Sequence, residues 1–366
     1  MGIEKLPLRD AAARRSYLQA RLSSLGVDSF WVVRDVDVRY LTGFTGEDST
    51  LLVAADRVVL VTDSRFEEQA QAEAGVEEVV CRRGAMVAAV ARLCRRPGLC
   101  RIGFGSAALT HADWKGLGDA LPGAQLVPFA RCPVGAMRAR KGREEVEAIR
   151  RALAISQSAF ERLGRRLRPG MTERHLAGLL EWEMRQGGAD EAAFKTICAA
   201  GERASLPHAA PTDRKAEANR PLLFDWGARA GGYNSDLTRL RATGTMPREV
   251  VELAQVVLEA QEAAFARLGP GVPCREVDHA ARTVIVRAGY GRFFGHGLGH
   301  GVGLEVHEAP RLAAGQDDPL LPGMVLTIEP GIYLPGRAGV RIEDMVVITP
   351  DGYELLSSLE RRPCGG

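Results

Sequence analysis

A short pattern occurs twice in the second half of the chain and restricts the folds open to it. Ala159-Phe160-Glu161-Arg162-Leu163 leads into Leu167-Arg168-Pro169-Gly170-Met171-Thr172 and a helical pattern that runs to Gly187-Gly188. Further on, Ala264-Phe265-Ala266-Arg267-Leu268 leads into Gly269-Pro270-Gly271-Val272 and another helical pattern. Val146, Ile149, Leu153, Phe160, Leu163 and Leu167 recur on one side of the first helix, the spacing of an amphipathic helix packed on a core. Thr172 can cap the next helix, because its hydroxyl accepts from a first-turn amide that has no partner within the helix. In both copies strands carrying acidic residues follow. The repetition predicts a duplicated half-domain with a site between the halves.

Leu222-Leu223-Phe224-Asp225-Trp226 and Tyr233-Asn234-Ser235-Asp236-Leu237 flank Ala228-Arg229-Ala230-Gly231-Gly232, a hairpin signal. With the turn centred between Ala230 and Gly231, Asp225 and Asp236 become directly opposite partners, their Cβ atoms roughly 4.5–5.5 Å apart. Val325-Leu326-Thr327-Ile328-Glu329 and Val340-Arg341-Ile342-Glu343 repeat the arrangement, and symmetry about Gly336 sets Glu329 opposite Glu343. Like charges so placed repel unless a proton or a cation lies between them. Four carboxylates match the charge of two divalent cations, and imidazole completes a mixed oxygen and nitrogen set suited to manganese, cobalt or zinc. The cysteines contain no Cys-x-x-Cys spacing, which excludes a thiolate-held structural zinc and a disulfide framework from the expectations.

Imidazole is supplied by Phe294-Gly295-His296-Gly297-Leu298-Gly299-His300-Gly301-Val302-Gly303-Leu304-Glu305-Val306-His307-Glu308. Glycine between histidines lets the backbone bend sharply and lets a metal or substrate approach closely. The stretch reads as leading into a Leu304–Val306 strand. His300 and His307 are an odd number of residues apart, so an unbroken strand aims them at opposite faces. A bulge or bend at Gly301 or Gly303 would bring them together.

The first part of the chain reads as a separate, small α/β domain. A helix over 11–25 precedes strands at Phe30–Val33, Leu51–Val53, Val58–Val61, Arg101–Phe104 and Gln125–Val127, alternating with helical patterns. His111 and Asp113 are the nearest approach to a chemical cluster there and read as solvated neighbours. Cys132-Pro133-Val134-Gly135 and the basic stretch through Lys141 read as a linker, which gives domains of 1–132 and 138–366. A formal net charge of +2 offers no electrostatic case for nucleic acid or an acidic membrane. Met1–Pro7 has no apolar signal core and no run reaches membrane-spanning length, so a cytoplasmic location is expected.

From Asp225 to Glu343 the chain resembles the pita-bread metallopeptidases, the group of methionine aminopeptidase, aminopeptidase P and prolidase. The resemblance covers roughly residues 140–355, and it rests on the order Asp, Asp, His, Glu, Glu. It implies a creatinase-like α/β N-terminal domain and an α+β pita-bread catalytic domain of pseudo-twofold duplicated halves. Tyr40-Leu41-Thr42-Gly43-Phe44-Thr45-Gly46 and Val61-Thr62-Asp63-Ser64-Arg65-Phe66 are similar to the former. The implied metal ligands are Asp225, Asp236, His300, Glu329 and Glu343, holding two divalent ions, manganese first and cobalt or zinc as alternatives. His208 and His307 correspond to substrate-contacting histidines, Glu329 to a carrier of the catalytic proton. His296 belongs to the His-Gly-x-Gly-His form of the proline-directed branch.

The expected activity is hydrolysis of the bond between an N-terminal residue and proline in short peptides, as in aminopeptidase P, with Xaa-Pro dipeptidase as the alternative. Arg311 can bind a substrate carboxylate through a two-point contact, and a solvated loop arginine is its competing reading. A homodimer is the expected assembly. A metal-independent amidinohydrolase of the creatinase type and a non-catalytic peptide-binding module are the remoter readings. Both are disfavoured by the complete ligand set. Trp226 stands where the family often has another apolar residue.

Overall fold

The computed structural model describes residues 10–96 and 98–365, so the Met1–Pro7 stretch lies outside the described residues. The chain divides into two compact units, Met1–Arg138 and Ala139–Gly366.

In the first unit the apolar runs form a six-stranded sheet, in the order Glu78–Cys81, Arg57–Thr62, Thr50–Ala54, Ser29–Val32, Arg101–Gly105, Gln125–Phe129. Thr50–Ala54 is antiparallel to both of its neighbours, and the remaining pairings are parallel. Trp31, Leu52 and Ile102 from the sheet pack with Val90 and Leu117 from two helices. The helix expected over 11–25 spans Ala11–Arg21, with Asp10 as its cap. Asp113 accepts from the Thr110 hydroxyl at 2.5 Å at the start of the helix His111–Ala120, so it belongs to a helix cap. The segment read as a linker is partly a helix, Pro133–Arg138, which buries Val134, Met137 and Arg138. Arg138 pairs with buried Asp37 at 2.8 Å, a partner that local sequence cannot reveal.

The second unit carries the duplication. One helix pair, Arg143–Arg166 and Glu173–Gln186, precedes the strands Ile197–Ala200, Pro221–Trp226 and Leu237–Ala242. The other, Arg248–Phe265 and Cys274–Arg287, precedes Gly299–Gly301, Glu308–Leu312, Val325–Ile328 and Asp344–Thr349. Thr172 caps the second helix as expected, accepting from the His175 amide at 3.1 Å. Successive residues of one strand serve opposite cores. Val325, Met345 and Val347 join Phe160, Leu163 and Leu180, whereas Leu326, Val346 and Ile348 join Val257, Ala260 and Ile285. Strands apolar on both faces are those covered by helices on both sides, and each fully buried large side chain contributes roughly 1.5–3 kcal/mol.

Trp226 is fully buried, stacked on Phe160 at 4.2 Å, and its indole N–H donates to the Ser156 carbonyl at 3.0 Å. The ring therefore fixes the strand that carries Asp225 against the first helix.

Candidate metal centre

The first hairpin closes one residue later than its composition suggested. Arg229 pairs with Asn234 and Ala230 with Tyr233, which leaves Gly231-Gly232 as the turn, with φ of +58° and +85°. A two-residue hairpin turn needs left-handed backbone at both positions, which two glycines supply and Ala230 does not. The partner of Asp225 is consequently Thr238, not Asp236. Asp236 precedes Thr238 by two residues, so the aspartates are diagonal neighbours on one side of the sheet.

The second hairpin keeps the expected register. Ile328 pairs with Asp344 on one side and Gly331 with Arg341 on the other, so the same register sets Glu329 across from Glu343. Between the two hairpins lies an isolated bridge, Thr238 to Glu343. The Thr238 hydroxyl donates to Glu343 Oε2 at 2.7 Å, and the Glu343 amide donates to the Thr238 carbonyl at 3.2 Å. Thr238 thus joins the two acid pairs.

Around the histidines the ladder is broken. His300 pairs with Arg311 but Gly301 with Glu308, a register shift at the Gly301 that the sequence offered as a bulge. The rings of His300 and His307 come within 4.2 Å, so the bulge places them side by side. No strand forms over Leu304–Val306, where the chain bends. The Gly303 amide bonds back to the Glu305 carbonyl at 3.0 Å, and the Gly303 carbonyl accepts from Asn234. Gly299 is required by contact, since a Cβ there would stand 2.0 Å from the Thr327 carbonyl oxygen.

Asp236, His300 and Glu343 are buried and bring ligand atoms within 4.8 Å of one another. Nε2 of His300 is 3.2 Å from Glu329 and 3.7 Å from Asp236. Burial, followed by the charges of Glu343, Asp225 and Glu329, holds Asp236 well above the usual carboxylate range. Burial and the charges of Glu329 and Asp225 do the same to Glu343. Asp225 is raised by burial, against the pull of Arg341. Glu329 runs the other way, because the His300 hydrogen bond and charge outweigh its burial.

Two atoms show that a cation fits. Nδ1 of His300 faces the Gly301 carbonyl at 3.2 Å, and a carbonyl only accepts, so the proton of a neutral ring sits on Nδ1. The Nε2 lone pair is then aimed at carboxylates, a contact that needs a proton or a metal ion between its members. Burial lowers the affinity of His300 for that proton, and the Glu329 hydrogen bond more than restores it. Oδ2 of Asp225 is bonded by Arg341 at 2.5 Å, while its Oδ1 is buried without a partner. Imidazole oriented by a backbone acceptor, beside several carboxylates, is the donor set of a divalent transition metal.

The other expected residues surround this cluster. His296 faces the Gly297 carbonyl with Nδ1 at 2.8 Å and the Tyr333 hydroxyl with Nε2 at 3.0 Å. Burial lowers its pKa, so the ring is neutral and Nε2 accepts from Tyr333. Tyr333 in turn accepts from Arg341 at 2.7 Å. His307 is exposed, its pKa lowered by burial of part of the ring and then by His300, Arg311 and His208. His208 is exposed in the turn that follows Gly201–Ser205, and the carbonyl of adjacent Pro207 accepts from Arg341 at 3.3 Å. Arg311 is exposed, directly across the ladder from His300.

Sequence reasoning missed Arg341, Tyr333 and Thr238. Arg341 bonds Asp225, Tyr333 and Thr238 at once, although it is almost entirely buried. Its place two residues before Glu343, on a strand otherwise apolar, was the available signal. Burial shifts the Tyr333 hydroxyl up to about 12, against the charge of Arg341.

Fold and site together define a two-domain metallopeptidase. Residues 147–350 match Metallopeptidase family M24 and residues 14–139 match the creatinase/prolidase N-terminal domain. The chain belongs to that family, with the creatinase-like and pita-bread architecture expected from its sequence. It is 37% identical over 340 residues to the peptidase YqhT of Bacillus subtilis, covering 93% of this chain and 96% of the relative. Its structure is similar to the Xaa-Pro dipeptidase from Bacillus anthracis, with a TM-score of 0.92 and 35% identity over 97% of this chain and 100% of the other. The X-Pro aminopeptidase from Thermotoga maritima gives a TM-score of 0.86 at 36% identity, over 94% of this chain and 99% of the other. Among the described residues, no helix is long and apolar enough to cross a membrane.

Proposed function

We propose that the chain is a metal-dependent peptidase that cleaves the bond between an N-terminal residue and proline in short peptides. Asp225, Asp236, His300, Glu329 and Glu343 would hold two divalent ions, manganese by preference and cobalt or zinc otherwise. The observation that carries this reading is the His300 Nε2 lone pair aimed at Glu329 and Asp236, beside an unpartnered Asp225 oxygen. Bound divalent ions supply a water acidic enough to attack at neutral pH and a Lewis acid for the scissile carbonyl.

The chain's own residues do the rest. Glu329, held below the usual carboxylate range, accepts a proton from the nucleophile and returns it to the leaving nitrogen. His307 and His208 donate to the substrate and to the oxyanion, each donor contributing about 2.7–4 kcal/mol in the transition state. His296 supports selection of proline, whose nitrogen offers no N–H, through the shape of the pocket it borders. A cytoplasmic homodimer belongs to the same reading and rests on the family resemblance.

Cleavage of longer peptides, as in aminopeptidase P, is the first reading. Xaa-Pro dipeptidase is the second, favoured by Arg311 across from His300, where its guanidinium can bind the carboxylate of a dipeptide. Hydrolysis of Met-Pro and Met-Pro-Ser by the wild type and Arg311→Ala separates them. Dipeptide hydrolysis that collapses while tripeptide hydrolysis survives means that Arg311 binds the dipeptide carboxylate and that dipeptidase activity is genuine. Equal retention of both favours the aminopeptidase. Faster cleavage of Met-Ala-Ser than of Met-Pro-Ser by the wild type overturns the proline assignment.

A further inference from the structure

Asp278 and Arg282 lie one turn apart on the helix Cys274–Arg287. Together they bond to the main chain of the loop 294–298 at three points. Arg282 donates to the Phe294 carbonyl at 2.9 Å and to the His296 carbonyl at 2.8 Å. Asp278 accepts from the Leu298 amide at 3.1 Å. The side chains are locked to each other by two further bonds, of 2.9 and 2.8 Å, and the guanidinium lies 4.3 Å from the centre of the Phe294 ring.

The loop they hold is irregular, between the short helical turn Gly291–Phe293 and the strand Gly299–Gly301, and it contains Gly295 and Gly297. Glycine loses the most conformational freedom on ordering, and main-chain groups outside a ladder need other partners. Asp278 is buried, and a buried ion pair is a weak source of net stability. Phe294 and Leu298 anchor the two ends of the loop in the core, and the Leu298 carbonyl accepts from the Glu329 amide at 2.8 Å. What the Asp278 and Arg282 bonds add is the main-chain path between those ends, through Gly295, His296 and Gly297.

We infer that Asp278 and Arg282 are a positioning pair that fixes His296 and, through it, the preference for proline. The inference rests on the proposed function, in which His296 borders the substrate. The backbone carbonyl of His296 is held by Arg282, and its ring is held at Nδ1 by Gly297 and at Nε2 by Tyr333. A ring fixed at the backbone and at both nitrogens has one orientation toward the substrate. Loss of the arginine fork frees the backbone end.

The test uses the full-length, metal-loaded protein and the variants Arg282→Lys, His296→Ala and their combination. Each is measured for kcat/KM on Met-Pro-Ser and Met-Ala-Ser, for metal per chain and for thermal midpoint. Lysine keeps the charge but cannot bond two carbonyls in a fork. Arg282→Lys is expected to lower the proline-to-alanine ratio about tenfold, the weight of roughly one charged hydrogen bond, with metal content unchanged. In the His296→Ala background the same change is expected to leave the ratio where it is, because the two residues act as one unit. Asp278→Asn, which keeps an acceptor for Leu298, gives the same comparison if the lysine variant fails to fold. A wild-type preference for proline with an unchanged ratio in the variant overturns this inference alone. So does an equal loss in both backgrounds, or a loss of metal. A wild type without the preference overturns the functional reading and this inference with it.

Discussion

Thr238 is the cross-strand partner of Asp225 and gives its hydroxyl to Glu343, 2.7 Å away. One small side chain thereby ties an acid of the first half-domain to an acid of the second. Arg341 completes the tie, donating to Thr238 at 2.9 Å and to Asp225 at 2.5 Å. Thr238 and Arg341 thus supply a neutral and a cationic donor to Glu343 and Asp225, while Oδ1 of Asp225 is buried without a partner.

Arg341→Met breaks a buried ion pair and leaves Asp225 without its counter-charge. In metal-free protein the expected loss of unfolding free energy is about 3–5 kcal/mol. Loaded with metal, the variant should lose less, since the cations compensate Asp225. Urea unfolding of both forms measures the difference. A loss below about 1 kcal/mol, the range of exposed pairs, contradicts the role given to Arg341.

His296 predicts a pH dependence. Its folded pKa lies below the ordinary 6.5, chiefly through burial, so the unfolded chain binds the proton more tightly. Stability from this group is therefore present above the unfolded value and is lost as pH falls through the folded one. Unfolding free energy measured from pH 8 to 5 should fall more steeply in the wild type than in His296→Asn. A gap between the two that stays constant with pH contradicts it.

Ligands and substrate contacts should separate by metal content. Asp236→Ala and Glu343→Ala are expected to lower metal per chain. His307→Ala should keep its metal while kcat drops by about 10²–10³, the effect of removing one oxyanion donor. Elemental analysis beside steady-state kinetics decides, and full occupancy in both acid variants refutes the ligand assignment.

The duplication was legible because helix spacing and acidic strands are local patterns, and the register of Glu329 and Glu343 followed from one glycine, Gly336. Asp225 was placed on the right face but against the wrong partner, since Gly231 and Gly232 both suit a left-handed turn and composition alone did not choose between centres one residue apart. The Leu304–Val306 bend was hidden by apolar composition, because it depends on Asn234 from a distant strand. Arg341 was hidden for the same reason, as its partners Asp225, Thr238 and Tyr333 come from three different strands. The helix Pro133–Arg138 was read as a linker because the partner of Arg138, Asp37, lies on another element.

Hydrolysis of Met-Pro-Ser before and after chelation, with metal counted by elemental analysis, decides whether this peptidase works through bound metal. Removal of metal should abolish turnover and lower the thermal midpoint, because clustered carboxylates lose their counter-charge and a bound ion stabilises only the folded chain. Manganese or cobalt should restore both. Full activity in protein shown to be free of metal rules out a metal-dependent peptidase.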